Sequence, residues 1–324
     1  MRFAHRLPAP LRAVALTAAV AAIPLIALVA TAPGSSAATK TVAWPAHYAA
    51  PYLQLTTGDW SDVNADMQAT GLKFYTLAFL TPKSGCTPMW EDGNIAWNNS
   101  TLVSDVQGLQ AKGGNVEISF GGASGGELAI TCTSVSSLEA AYASVVKTYG
   151  VTRLDFDIEG STLGNTSANL RRDQALAALQ KADPSVQVDF TIAVNPNGLP
   201  SDEVNMLKQA VSANVNVNLV NIMTMDFGSG QPVLADAKSA AVATAKQMES
   251  IFGISSPDYA GMGLTPIAGK NDDREYFSIS DAKNLESFAA SHGVQELAFW
   301  EVDQYDKHTS PPWQYSAVFN KITG

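Results

Sequence analysis

The run LDFDIEG, residues 154 to 160, sets acids at every second position of an otherwise apolar stretch: Asp155, Asp157 and Glu159. A run this short and this rich in β-prone residues reads as a strand, on which side chains two apart share one face. The three carboxyls therefore line up, with the Cα atoms of Asp157 and Glu159 ~6.6 Å apart. Like charges gathered where water is scarce oppose one another, so the row stands only with shared protons or hydrogen-bond donors around it. Hydrolysis of a glycoside needs such a group: an acid of raised pKa, here Glu159 at the top of the row, to protonate the leaving oxygen. A conventional retaining mechanism also needs a nucleophile on the opposite face of the sugar, and Asp157 approaches from the same side as Glu159.

The elements that would position this row alternate along the chain. Strand candidates lie at 48–55, 73–80, 115–122, 152–160, 187–194, 217–227, 260–267 and 295–302. Amphipathic patterns follow each, near 59–70, 98–113, 135–149, 165–183, 201–213, 234–253, 280–292 and 313–322, with Ser201 and Ser280 as cap signals. Eight strand-then-helix units predict an α/β fold, a (β/α)8 TIM barrel in a single domain, with a doubly wound sheet as the alternative. Barrel active sites sit where the strands end, so Glu159, closing the fourth strand, belongs at the mouth. The longest loop expected between elements is 81–97, which carries Cys86, Trp90 and Trp97.

Composition narrows the partners. Residues 1–37 carry Arg2, Arg6 and Arg12, then a long apolar run and a small-residue ending, which reads as a secretory signal peptide cleaved after Ala37 or Ala38; a membrane anchor is the alternative. Its loss removes three of 20 basic residues and none of the 30 acidic ones, leaving 17 against 30 and a formal charge of −13. That charge argues against nucleic acid as a partner. The remaining residues, 38–324, suffice for one barrel domain. Cys86 and Cys132 are the only cysteines, and an even count in an exported chain predicts a disulfide joining the loops after strands two and three, with two buried thiols as the alternative. The scattered His47, His292 and His308 make no metal site legible, and GLTPIAGKN, 263–271, misses the phosphate-loop pattern.

The strand-four run resembles the signature of glycoside hydrolase family 18, the chitinases and their relatives, Asp-x-x-Asp-x-Asp-x-Glu. The last three acids match Asp155, Asp157 and Glu159, whereas Thr152 holds the place of the first. SFGG at 119–122 is similar to the family's Ser-x-Gly-Gly on strand three, MTMDF at 223–227 to its strand-six motif, and Trp300 falls where the family has a tryptophan on strand eight. The resemblance is nearest to the bacterial secreted chitinases.

It implies that Glu159 is the acid/base and that the substrate's own N-acetyl oxygen attacks the anomeric carbon, the family's exception to the two-carboxylate rule. Asp157 would then orient the acetamide, and Asp155 would share a proton with Asp157, helped by Ser119. Asp226 would help hold the acetamide beside Met223 and Met225, Gly121 and Gly122 would border the site, and Trp300 would floor it, unless that indole is plain core. The family's tyrosine hydroxyl near Asp226 has no counterpart, since Met225 and Phe227 flank it. Trp60, Trp90 and Trp97 are read as either sugar platforms or loop packing. The expectation is a secreted, extracellular, monomeric chitinase that needs no cofactor and binds chitin or N-acetylglucosamine oligosaccharides, no nucleic acid and, once the signal is cleaved, no membrane. An endo-β-N-acetylglucosaminidase acting on N-glycans and a lectin on the same barrel are the competing functions; the presence of Glu159 weighs against the lectin.

Overall fold

The computed structural model describes residues 42–55, 60–91 and 94–323; the expected signal, residues 1–37, lies outside them. Eight parallel strands form a closed ring. They are β1, in two parts (Tyr48–Ala49 and Tyr52–Gln54), β2 (Phe74–Ser84), β3 (Asn115–Gly121), β4 (Arg153–Asp157), β5 (Gln187–Ala193), β6 (Val217–Met223), β7 (Met262–Thr265) and β8 (Glu296–Leu297). The first part of β1 pairs with β8 and the second with β2, so the interrupted strand is the seam that closes the barrel. Closure leaves the eight strands of the ring no open edge within it.

Eight helices cover the ring: α1 (Trp60–Thr70), α2 (Ser100–Ala111), α3 (Val135–Tyr149), α4 (Thr166–Ala182), α5 (Ser201–Ser212), α6 (Val233–Phe252), α7 (Ile279–His292) and α8 (Gln314–Phe319). The period of two in each strand divides the work. On β3 and β4 the outward Phe120 and Phe156 stack with centroids 5.4 Å apart, and Tyr142 of α3 meets both edge-on. The inward positions of β4, Arg153, Asp155 and Asp157, are all buried and all ionisable. A barrel interior of this kind is usually filled by branched apolar side chains, so a charged filling marks a site or a compensated structural core.

Several local expectations are corrected. The segment expected as a long loop after strand two continues the strand to Ser84 and folds back as Thr87–Trp90, a β-hairpin. Trp90 is fully buried against Tyr149, to whose hydroxyl its indole N–H donates at 3.3 Å, so it is packing and not a platform. Trp60 and Trp97 are half-buried against the same core. The cap of α7 is Ser278, in a reciprocal capping box with Asp281, and not Ser280; Pro200, not Ser201, precedes the first turn of α5. Strand six ends at Met223, which puts Asp226 in the following loop, and Trp300 lies beyond the paired residues of β8.

Cys86 and Cys132 are bonded, tying that hairpin to the end of the short helix Leu128–Thr131 after β3. Closing a loop of 46 residues contributes about 4 kcal/mol in the chain-entropy picture. Among the described residues no helix is long and apolar enough to cross a membrane.

Candidate active site

The acidic row is assembled by strand register. Ser119 pairs with Asp155, Gly121 with Asp157, Asp155 with Asp189, and Asp157 with Thr191 across neighbouring ladders. Asp155 is thus centred among donors: Ser119 Oγ gives to Oδ2 at 2.5 Å, Thr191 Oγ1 to Oδ1 at 2.7 Å, and the Tyr52 hydroxyl to Oδ2 at 3.3 Å. Behind these, Asn221 Nδ2 donates to Thr191 Oγ1 at 3.0 Å and to the Tyr52 oxygen at 3.2 Å, and Thr265 Oγ1 donates to Asn221 Oδ1 at 2.8 Å. Burial pushes Asp155 up to about 7 against the pull of the hydroxyls of Ser119 and Thr191.

Asp157 is the least compensated of the row. Its Oδ1 is buried with no hydrogen-bond partner, and its carboxyl hydrogen-bonds that of Glu159. Burial first, then the charges of Glu159 and Asp155, hold Asp157 well above the usual carboxylate range. Glu159 is also raised, and the main cause is burial; the hydrogen bond from Asp157 opposes it. Two expectations change accordingly. The Glu159 shift comes from desolvation and not chiefly from like charge, and the carboxyl of Asp157 meets that of Glu159, whereas the oxygens of Asp155 are taken by hydroxyl donors.

The glycines of SFGG have steric reasons. Gly121 has φ 106° and a Cβ there would run into the Asp157 carbonyl; Gly122 has φ 80° and its Cβ would lie 2.6 Å from the Phe79 ring. Both positions let β3 pass close to the acid-bearing strand β4 and to an aromatic wall.

Above the row opens a cavity of about 190 Å³. Trp300 is its floor, not plain core: its ring stacks on Phe79 (centroids 5.6 Å, planes 13° apart) and abuts Tyr52 at 5.9 Å. Met223 and Met225 add apolar wall, and four carboxyls, those of Asp157, Glu159, Asp226 and Asp272, face the same space. Asp226 has φ 49° and is fixed by the hairpin that follows β7, formed by Gly269–Lys270 and Tyr276–Phe277. The Asp273 N–H donates to Asp226 Oδ1 at 3.0 Å, and the Asp226 N–H donates to Asn271 Oδ1 at 3.1 Å.

No family model matches the chain. It is 30% identical to the catalytic domain of the hyperthermophilic chitinase from Pyrococcus furiosus, with a TM-score of 0.79 over 87% of this chain and 96% of that one. The chain belongs to the chitinases of glycoside hydrolase family 18. Catalytic-site mutants of the same Pyrococcus domain form complexes with chito-oligosaccharides. Curated family relatives include the probable bifunctional chitinase/lysozyme of Escherichia coli (strain K12), 28% identical over 88% of this chain, and endochitinase 11 of Metarhizium anisopliae, 29% identical over 82%. The chain spans 35% and 53% of the lengths of these two proteins.

Against the family motif the departure at Thr152 is remote from the cavity. Thr152 precedes β4 at the end of the barrel where the strands begin, and its carbonyl accepts from the Gln187 N–H at 2.7 Å. Tyr52, Phe79, Thr191, Asn221, Thr265 and Asp272 join the site without belonging to any of its sequence motifs. The legible signal was a polar residue at an inward, alternate position of an apolar strand, as with Thr191 in β5 and Asn221 in β6. Phe79 and Asp272 gave no such signal.

Proposed function

We propose that this chain is a secreted, monomeric chitinase that hydrolyses β-1,4 bonds between N-acetylglucosamine units with retention, the substrate's acetamide acting as nucleophile. The observation that carries the reading is the hydrogen-bonded Asp157–Glu159 pair on one wall of a cavity floored by Trp300. Burial raises both carboxyls of the pair, Asp157 well above the usual carboxylate range, so that the two together favour holding a shared proton. When the acetamide N–H arrives it gives Asp157 a donor, which favours the ionised form and lets the proton pass to Glu159. Glu159 then protonates the leaving oxygen as the acetamide oxygen closes on the anomeric carbon. Asp157 balances the positive charge that develops on the acetamide nitrogen, and Asp155, held by three hydroxyls, keeps Asp157 aligned. Asp226, pinned by the β7 hairpin, presents a fixed acceptor to the sugar. Glu159 returns as general base for the water that opens the cyclised intermediate.

Export through residues 1–37 fits the Cys86–Cys132 bond, since disulfides persist in oxidising compartments. The substrate is tested by incubating the mature protein with colloidal chitin and, separately, with a high-mannose glycoprotein. Soluble N-acetylglucosamine oligomers from the first and no glycan release from the second are expected. The reverse pattern would make the chain an endo-β-N-acetylglucosaminidase.

A further inference from the structure

The loop between β6 and α6, residues 224–232, belongs to no helix or strand. It leaves the barrel at Thr224, whose N–H donates to the Thr265 carbonyl at 2.9 Å. Two residues on, Asp226 stands at φ 49°, a left-handed conformation that a residue with a side chain keeps only where its surroundings impose it. Gly228 and Gly230, at φ 59° and 77°, give the loop no stiffness of its own. The constraint must come from outside the loop.

It comes from the hairpin after β7, 45 residues further along. Asn271 is buried and uses its amide on both elements: Oδ1 accepts the Asp226 N–H at 3.1 Å, and Nδ2 donates to the Gly269 carbonyl at 3.2 Å. The two ends of that amide are not interchangeable, since one meets a donor and the other an acceptor. Asp273 joins the same elements a second time. Its Oδ2 accepts the Gly228 N–H at 2.7 Å, its Oδ1 the Glu275 N–H at 2.9 Å, and its own N–H donates to Asp226 Oδ1 at 3.0 Å. The clip therefore fixes the Asp226 amide, the amide two residues on, and one oxygen of the Asp226 carboxyl.

The hairpin is in turn built on the barrel. Phe277 is buried against Tyr315, with centroids 6.2 Å apart, and the Ala268 N–H donates to the Trp300 carbonyl at 2.7 Å. One element thus ties Asp226 to the residue that floors the cavity, which both line. A carboxyl on a glycine-containing loop would otherwise sample many orientations, and a misplacement of about 1 Å can cost about 10²-fold in rate.

We infer that Asn271 and Asp273 are positioning residues of the reaction: from the hairpin after β7 they hold Asp226 in the left-handed conformation that presents its carboxyl to the substrate's acetamide. The inference rests on the reading of Asp226 given above and deepens it.

A double-mutant cycle on chito-oligosaccharide turnover tests it. Asn271→Ala and Asp273→Ala should each lower kcat by about tenfold or more with KM kept within about twofold, whereas either change added to Asp226→Ala should lower kcat by less than about twofold further. Binding gives a second readout: an N-acetylglucosamine thiazoline, which mimics the cyclised intermediate, should lose about tenfold in affinity in Asp273→Ala, while chitotriose binding to Glu159→Gln changes less than about twofold on adding it. Asp273 is only half-buried, so its arm of the cycle decides the matter if Asn271→Ala does not fold. Turnover kept in Asp273→Ala, or the same loss with and without Asp226, overturns the positioning role and leaves the chitinase reading standing. Turnover kept in Asp226→Ala overturns the role of Asp226 and the inference with it. A parent protein that neither cleaves chito-oligosaccharides nor binds the thiazoline overturns the functional reading itself.

Discussion

The barrel interior holds two buried acid clusters, one above the other, and they are built to opposite ends. The lower one comprises Glu117, Asp189 and Glu296, and it contains a cation: Arg153 Nη1 lies 3.4 Å from Asp189 Oδ2 and also donates to the Tyr48 hydroxyl. Thr76 gives to Glu117 at 2.6 Å, Asn218 to Asp189 at 2.9 Å and Tyr48 to Glu296 at 3.3 Å. The Trp44 ring lies 4.6 Å from the guanidinium carbon of Arg153 and packs at a tilt on Phe74, with centroids 5.0 Å apart. The upper cluster, Asp155, Asp157 and Glu159, has hydroxyl donors only on Asp155, no cation in the cavity lining, and an open side. Buried charge is tolerated in both, but only the upper one is left with an unmet carboxyl facing a space that a substrate can enter. That difference, rather than burial or raised pKa alone, separates a reactive site from a structural core, since both clusters show the last two.

The comparison predicts a double dissociation. Glu159→Gln should lower turnover on chitin by about 10²–10⁴-fold, the usual worth of general acid catalysis, while the urea midpoint holds because the amide keeps the shape and its oxygen can still accept from Asp157. Turnover above about a tenth of the parent protein's would remove Glu159 from the acid role. Arg153→Met should do the converse. Removing one partner of a buried ion pair costs about 3–5 kcal/mol, read as a lower urea midpoint, with turnover of the folded protein kept within about threefold. A stable Arg153→Met protein would mean that the floor acids carry their protons without help from the guanidinium.

A smaller effect is expected from pH. Burial, with the charge of Asp189 adding to it, raises Glu296 from 4.5 to about 8, and Asp155 sits at about 7. A buried acid with a raised folded pKa binds its proton more tightly in the folded state, so its contribution favours folding at low pH and is lost as pH rises from about 4.5 to about 8. Stability should therefore decline between pH 5 and pH 8, which urea titrations at the two values will show. Glu296→Gln should flatten that decline. An unchanged slope in this variant would place the titrating group elsewhere.

The upper cluster was legible in the sequence because Asp155, Asp157 and Glu159 interrupt an apolar strand with period two, and the eight-unit alternation placed that strand fourth in a barrel. The lower cluster was not, since Glu117, Asp189 and Glu296 stand singly on three different strands and meet only when the ring closes. The hairpin at Thr87–Trp90 was missed because Pro82, Gly85 and Pro88 read as loop residues, whereas Pro82 and Pro88 pair across a two-stranded edge that tolerates missing donors. Asp226 was found as a residue but assigned to a strand; its positive φ and its ties to Asp273 and Asn271 depend on a hairpin 45 residues further on. The direction of the Glu159 shift is legible in the acidic row but its main cause is not, because burial depth cannot be read from the row itself.

The central claim is that no protein carboxylate attacks the sugar: the acids on β4 and Glu159 just beyond it stand on one side and the acetamide supplies the nucleophile. Oligomers of defined acetylation pattern test it most directly, with the bond cut and the anomer first released read by mass spectrometry and proton resonance. Cleavage only after an N-acetylated unit, with the β-anomer released first, is predicted. Comparable cleavage after a deacetylated unit, or a first-formed α-anomer, would contradict it.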